Sequence, residues 1–322
     1  MIVLFTVVFT FTMSYVLHKI IFGRQDKDPD YKYFTPEDFG VSAESVPVNY
    51  GGVTLAANLY TVKPAEECDR VVIFQHGFGA GTSSYMTEIA HFANRGFAVL
   101  AADAYGCNNS AGKSAKGFYA GAEAVIAAYI AVKSDERLKN KRVVLVGHSW
   151  GAYSVLAASK RVGADGVVAL SSFNSPVQCL GDFIKAIGPV GKIFAPSMQM
   201  WFAVINFFKF GAKGNTKAAK AIKKSGTKAL LIHGEKDGTV RLKHGAAYLA
   251  KGENVEKLIL PEKRHNPYNT VAAEQKLAEL TGAHDFANGE EEKEYYASFD
   301  WQAATEEDAA VMEKIDAFIA EA

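Results

Sequence analysis

From about residue 41 onward, short apolar runs rich in β-branched residues alternate with longer stretches in which apolar positions recur every three or four residues. The short runs predict strands over 46–50, 53–61, 71–75, 98–102, 143–147, 166–170, 229–232 and 255–260. The helical spacing predicts helices over 86–95, 117–132, 152–161, 243–250, 272–280 and 306–320. Strands separated by helices form βαβ units, so the fold class expected is α/β. Its mostly parallel central sheet is flanked by helices, and ligands are expected at the carboxyl ends of the strands. The pair over 46–61, joined by Gly51 and Gly52, reads as an antiparallel hairpin at the sheet edge.

The chain opens differently. Its first 22 residues, MIVLFTVVFTFTMSYVLHKIIF, carry no charge before His18 and Lys19. As a helix they would reach about 33 Å, enough for a hydrocarbon layer of roughly 30 Å. A single-pass N-terminal membrane anchor is therefore expected over 1–22. The rival, a cleaved signal peptide, wants a basic start and a small-residue cleavage site, and GRQDKDPD follows instead. Lys19, Arg24 and Lys27 follow the span, which places the body on the cytoplasmic side. Residues 23–40 read as a polar tether, and 41–322 as the catalytic domain; no internal repeat appears.

Lysine plus arginine balances aspartate plus glutamate at 35 each, so no global field draws the chain to nucleic acid. Cys68, Cys107 and Cys179 are scattered and show no metal-ligand spacing, so reduced thiols are expected and neither metal nor cofactor is.

The stretch VVLVGHSWGAYSVLAAS carries the chemistry. Gly147-His148-Ser149-Trp150-Gly151 fits Gly-x-Ser-x-Gly between a strand and a helix, the nucleophile elbow that lifts a serine clear of a sheet. A serine hydroxyl needs a base to take its proton, and the base needs a partner to hold its tautomer. In ALLIHGEKDGTV, Asp237 follows a strand end, with Glu235 as its neighbouring competitor. The strand over 255–260 leads into PEKRHNPYNT, which supplies His265. The order Ser149, Asp237, His265 is that of the α/β-hydrolase triad. His148, His76, His233, His91, His244 and His18 fit packing or loop support, while His284, in GAHDF, is the rival base. After the strand over 71–75, His76-Gly77-Phe78-Gly79 offers the Phe78 N–H, which with that of Trp150 would form an oxyanion hole. The glycines at 77, 79 and 81 match neither dinucleotide nor phosphate-loop spacing.

Over about 46–320 the chain resembles the α/β-hydrolase superfamily, and within it the serine aminopeptidase and monoacylglycerol lipase type. The resemblance rests on HGFGAG, DAYGCNNSAG, GHSWG, HGEKDGTV and RHNPY in that order. One departure is Asn108, standing where glycine is usual, though asparagine tolerates left-handed backbone. The resemblance implies a helical cap over about 173–224, an aromatic segment that interrupts the βα rhythm. There Trp201, Phe202, Phe207 and Phe208 would either pack the cap onto the core or line an acyl cleft. Lys213, Lys217, Lys220 and Lys224 recur on one helix face, either solvated or touching anionic headgroups. The function expected is a membrane-tethered serine hydrolase acting on a small-molecule ester or lipid with an apolar acyl group. A peptidase of the serine aminopeptidase type and a non-catalytic binding scaffold are the alternatives.

Overall fold

The structure, a computed structural model, describes residues 2–280, 282 and 284–322. Its strands are β1 (Ser42–Ser45), β2 (Val48–Tyr50), β3 (Val53–Leu55), β4 (Ala57–Thr61), β5 (Arg70–Gln75), β6 (Ala98–Ala102), β7 (Arg142–His148), β8 (Gly166–Leu170), β9 (Lys228–Gly234) and β10 (Val255–Leu260). Before the middle of the sheet come helices α1 (Ile2–Ile21), α2 (Met86–Asn94) and α3 (Tyr119–Ser134). After it come α4 (Trp150–Ala158), α5 (Pro176–Ala186), α6 (Pro189–Phe210), α7 (Ala218–Ser225), α8 (Ala246–Leu249), α9 (Val271–Leu280), α10 (Gly289–Ser298), α11 (Trp301–Ala304) and α12 (Ala309–Glu321).

Eight strands form the main sheet in the order β1-β4-β6-β5-β7-β8-β9-β10. The pairs β1/β4 and β4/β6 are antiparallel and the others parallel. The central strands are apolar at nearly every position because helices cover both faces. In β7, Val143 and Leu145 enter a core with α3, α4 and the helices after β8, while Val144 and Val146 enter one with α2 and α12. This is the α/β-hydrolase architecture, and every crossover delivers its loop to the edge where β5, β7, β9 and β10 end.

The expected edge hairpin is corrected in part. β2 and β3 do pair across Gly51 and Gly52, both at positive φ, but they form a separate two-stranded sheet. The chain breaks at Ala56, whose N–H donates to Ser110 Oγ and whose carbonyl accepts from Asp103 N–H, and β4 then joins the main sheet. The outer edge is β1, whose sequence SAES is exposed throughout and carries no apolar signal; backbone pairing to β4 holds it. The helix expected over 243–250 is a single turn, α8, behind a 3₁₀ turn.

The N-terminal segment is also corrected. Met1 lies outside the described residues. Among the described residues, no helix is long and apolar enough to cross a membrane. α1 instead packs along α6. Thr10 Oγ1 accepts hydrogen bonds from Ser197 Oγ (3.0 Å) and Trp201 Nε1 (3.1 Å), and Thr10, Ser14 and His18 are buried in the seam. Nor is the stretch from residue 23 a free tether at its start. The Arg24 guanidinium donates to the carbonyls of Asn108, Ser110 (3.0 Å) and Gly112 (2.7 Å), and Gln25 exchanges backbone hydrogen bonds with Gly106 and Asn108.

Candidate active site

β7 ends at His148 and α4 begins at Trp150, so Ser149 alone makes the turn, at φ 55° and ψ −113°. A non-glycine residue held there costs on the order of 1–3 kcal/mol, and Ser149 N–H, donating to Leu170 O at 2.8 Å, is one of the bonds that hold it. Both flanking glycines are required by close approach. A Cβ on Gly147 would lie 2.5 Å from the Gly151 carbonyl, and one on Gly151 would lie 1.9 Å from Gln75 O.

His265, in the loop after β10, places Nε2 at 3.0 Å from Ser149 Oγ and Nδ1 at 2.8 Å from Asp237 Oδ2. Asp237 sits in the turn after β9 with its side chain buried. Its Oδ1 accepts the N–H groups of Thr239 and Val240, both at 2.8 Å, and His233 Nε2 lies 3.3 Å from Oδ2. Burial pushes the carboxyl pKa up, but the hydrogen bonds of the two histidines, the charge of His265 and the Val240 N–H outweigh it. Asp237 therefore ionises below the ordinary carboxylate range. Its competitor Glu235 is exposed. The rival base His284 is exposed too, its ring against Phe286 and Tyr295 and its Nε2 bonded to Glu279 O at 2.7 Å.

The sequence reading passed over the groups that hold the His265 loop. Glu274 on α9 accepts the N–H groups of Arg264 (2.7 Å) and Asn266 (2.9 Å), the two residues flanking His265. The Lys263 ammonium, itself buried, bonds Asn269 O and Asp308. His148 Nε2 bonds the carbonyl of His265 at 2.8 Å, so Nε2 carries the proton and Nδ1 accepts from Tyr85 Oη, also at 2.8 Å. Tyr85 Oη in turn accepts Gly77 N–H at 3.1 Å. Burial and the neighbouring His265 lower the His148 pKa to about 3, which keeps it neutral. One chain of bonds thus runs from the Gly77-Phe78 loop through the elbow to the His265 loop. A polar pair i, i+3 or a motif would have exposed these partners in the sequence, but their separations of 6 to 117 residues carry no local pattern.

The loop after β5 lies against the elbow: a Cβ on Gly77 would meet Ser149 Cβ at 3.6 Å, and the Phe78 ring packs on Trp150, Phe22 and Phe118. Trp150 N–H opens α4, where no intrahelical acceptor exists. His76 Nε2 accepts Ala104 N–H, and Asp103 ties Thr82 to Asn109; Asn108 adopts φ 39°.

The four aromatic residues expected to line an acyl cleft are not brought together, which corrects that expectation. Trp201 turns to α1, its ring edge-on to Phe11; Phe202 is fully buried beside His18; Phe207 and Phe208 face outward. Helical periodicity along α6 separates the Trp201/Phe202 pair, held inward against α1 and the core, from the Phe207/Phe208 pair nearly two turns on, whose rings lie 6.1 Å apart at the surface. The three cysteines are buried and unpaired. Among the described residues, no group of three or more His, Cys, Asp or Glu side chains is arranged to hold a metal ion.

Residues 71–279 match the model of the alpha/beta hydrolase family, and the chain belongs to that family. Among solved structures it is similar to the Pyrococcus furiosus esterase Pf2001, at 18% identity and a TM-score of 0.57, over 87% of this chain and 98% of that one. Est1E from Butyrivibrio proteoclasticus with ferulic acid bound aligns at 18% identity and 0.52, over 69% and 91%. The Pyrococcus horikoshii acylaminoacyl peptidase aligns at 14% and 0.52, over 70% and 38%. At these identities the likeness is one of fold. No curated protein matches the sequence.

Proposed function

We propose that the chain is a serine hydrolase cleaving carboxylic esters through an acyl-enzyme. His265 Nε2 takes the Ser149 proton as Oγ attacks the ester carbonyl, and Asp237 stabilises the imidazolium that results. The carbonyl oxygen, now anionic, is met by the N–H groups of Trp150 and Phe78, each worth roughly 3–4 kcal/mol in such a role. The alkoxide leaves with the proton from His265, and water repeats the sequence on the acyl-enzyme to return acid and free serine. The observation that carries this reading is the unbroken Ser149–His265–Asp237 hydrogen-bond chain beside a strained elbow. Fold neighbours that are esterases support an ester as the substrate.

An apolar acyl group is proposed on different grounds from those of the sequence: Phe78, half-buried on the oxyanion loop, is backed by the buried rings of Phe22 and Phe118. The test is a chain-length series of nitrophenyl esters run against aminoacyl-arylamides. Each methylene buried adds about 0.8 kcal/mol, so kcat/KM should rise about fourfold per carbon until the site fills. A preference for the arylamides would replace the esterase reading by the peptidase one.

A further inference from the structure

α1 and α6 keep their polar contacts inward and turn an apolar face to solvent. On α6, Val190, Ile193, Met200 and Phe207 recur at helical spacing on one face, with Phe208 beside them; Ile193 is 73% exposed and Phe208 82%. On α1, Leu4, Val8, Phe11, Tyr15 and Ile20 are exposed, whereas Thr10, Ser14 and His18 are buried against α6. Ile187, at the end of α5, extends the patch. Single exposed apolar residues are ordinary, but a helix pair showing its apolar face to water is not.

The charges carried by these two helices have one sign. Neither helix contains an aspartate or glutamate, and Lys19, Lys192 and Lys209 flank the stripe. Directly beyond the end of α6, a cleft of about 680 Å³ is lined by Lys160, Arg161, Lys213, Lys217, Lys220 and Lys224; Lys213 is paired with Glu123 at 2.9 Å, outside the lining, and no carboxylate is among the described lining residues. In a chain of formal net charge +0, that is a local concentration of cations.

We infer that this face docks on the surface of a bilayer rich in anionic phospholipid. α1 and α6 lie in the interface plane with the apolar stripe among the upper acyl chains, and the cleft's cations take headgroup phosphates. Charge complementarity selects this occupant over a second copy of the chain, because a symmetric dimer through the same face would oppose lysine to lysine. The mode differs from spanning: the Thr10–Ser197 and Thr10–Trp201 bonds keep α1 lying on α6. It holds whether or not Ser149 is a nucleophile, since lipid binding is read without turnover.

The test is flotation of the full chain with vesicles of phosphatidylcholine alone and of phosphatidylcholine and phosphatidylglycerol in equal parts. Flotation with the mixed vesicles is expected, falling in high salt and much weaker without the anionic lipid. Ile193→Glu combined with Met200→Glu should lower partitioning by at least about tenfold. Lys217→Glu combined with Lys220→Glu should abolish the preference for phosphatidylglycerol. Both double variants should melt as the unmodified chain does and hydrolyse a short-chain ester at its rate. Failure to float with either vesicle, equal flotation with both, or apolar variants that float unchanged would overturn the inference. So would a lipid-independent dimer, dissolved by Ile193→Glu, in a chain that does not float.

Discussion

A glutamate that accepts the N–H groups on either side of a histidine fixes where that histidine points without touching it. Glu274 does this for His265, and burial raises its carboxyl pKa even as the two N–H bonds lower it. Glu274→Ala is expected to lower kcat by about tenfold to a hundredfold with KM little changed, the loss belonging to orientation of the base. Glu274→Gln, which keeps one acceptor oxygen, should recover part of it. Tyr85→Phe removes both the acceptor for Gly77 N–H and the donor to His148, and a fall in kcat of about tenfold is expected from a loosened oxyanion loop. An unchanged kcat in either variant would assign these bonds to stability alone, which a melting curve would then report. Gly151→Ala should be the most damaging small change, since the added methyl would fall 1.9 Å from Gln75 O. At this scale the elbow, Asp237 and His265 were legible because chain order and strand ends announce them. Glu274 and Tyr85 were not, because their partners are backbone N–H groups 8 to 10 residues away and, for Tyr85, a histidine ring 63 residues away, and none of these spacings is a motif.

Among the elements, α2 and α12 are joined by charge across the sheet's second face. His91 on α2 meets Glu307 at 2.8 Å and Asp316 on α12 at 3.1 Å, and Arg95 shares Asp316. Burial lowers the His91 pKa, but the hydrogen bonds and charges of the two carboxylates outweigh it and raise it to about 9. Glu88, buried one turn earlier, is raised to about 8 by burial and by Glu307. Both groups bind their protons more tightly folded than unfolded. The His91 contribution is complete below its unfolded value of 6.5 and lost as pH rises through about 9; that of Glu88 is lost between 4.5 and about 8. Above about pH 6.5 stability should therefore fall toward pH 9, with His91 accounting for on the order of 2–3 kcal/mol of it; below that, the buried neutral His18, His76 and His148 bind their protons less tightly folded than unfolded and oppose the Glu88 trend. Thermal melts across that range check this, and His91→Gln should flatten the upper part of the decline while Glu88→Gln flattens the lower. A melting temperature that rises between pH 7 and pH 9 would contradict both assignments. Element by element, the buried central strands were read to within a residue or two because helices on both faces demand continuous apolar runs. β1 escaped because an edge strand held by backbone pairing needs no apolar side chains. α1 was misread because a 22-residue segment dominated by apolar residues signals burial in something apolar, and length alone does not distinguish a bilayer from a neighbouring helix.

For the whole molecule, the sheet delivers loops from β5, β7, β9 and β10 to one edge, and the chemistry follows from what those loops bring within hydrogen-bond reach. The apolar, cation-rimmed face on α1 and α6 stands apart from that edge, and the balancing negative charge of a chain of formal net charge +0 lies on the rest of the surface, so catalysis and surface docking occupy separable parts of one fold. The catalytic claim rests on Ser149 being a nucleophile activated by His265. Covalent labelling with a fluorophosphonate probe, followed by mass spectrometry of the adduct, measures that directly. Stoichiometric phosphonylation at Ser149 is expected in the unmodified chain. It should disappear in Ser149→Ala and be strongly slowed in His265→Ala, with ester turnover lost in parallel by about 10⁴- to 10⁶-fold. A folded chain that leaves Ser149 unlabelled, or a Ser149→Ala variant that hydrolyses esters at the original rate, would contradict it.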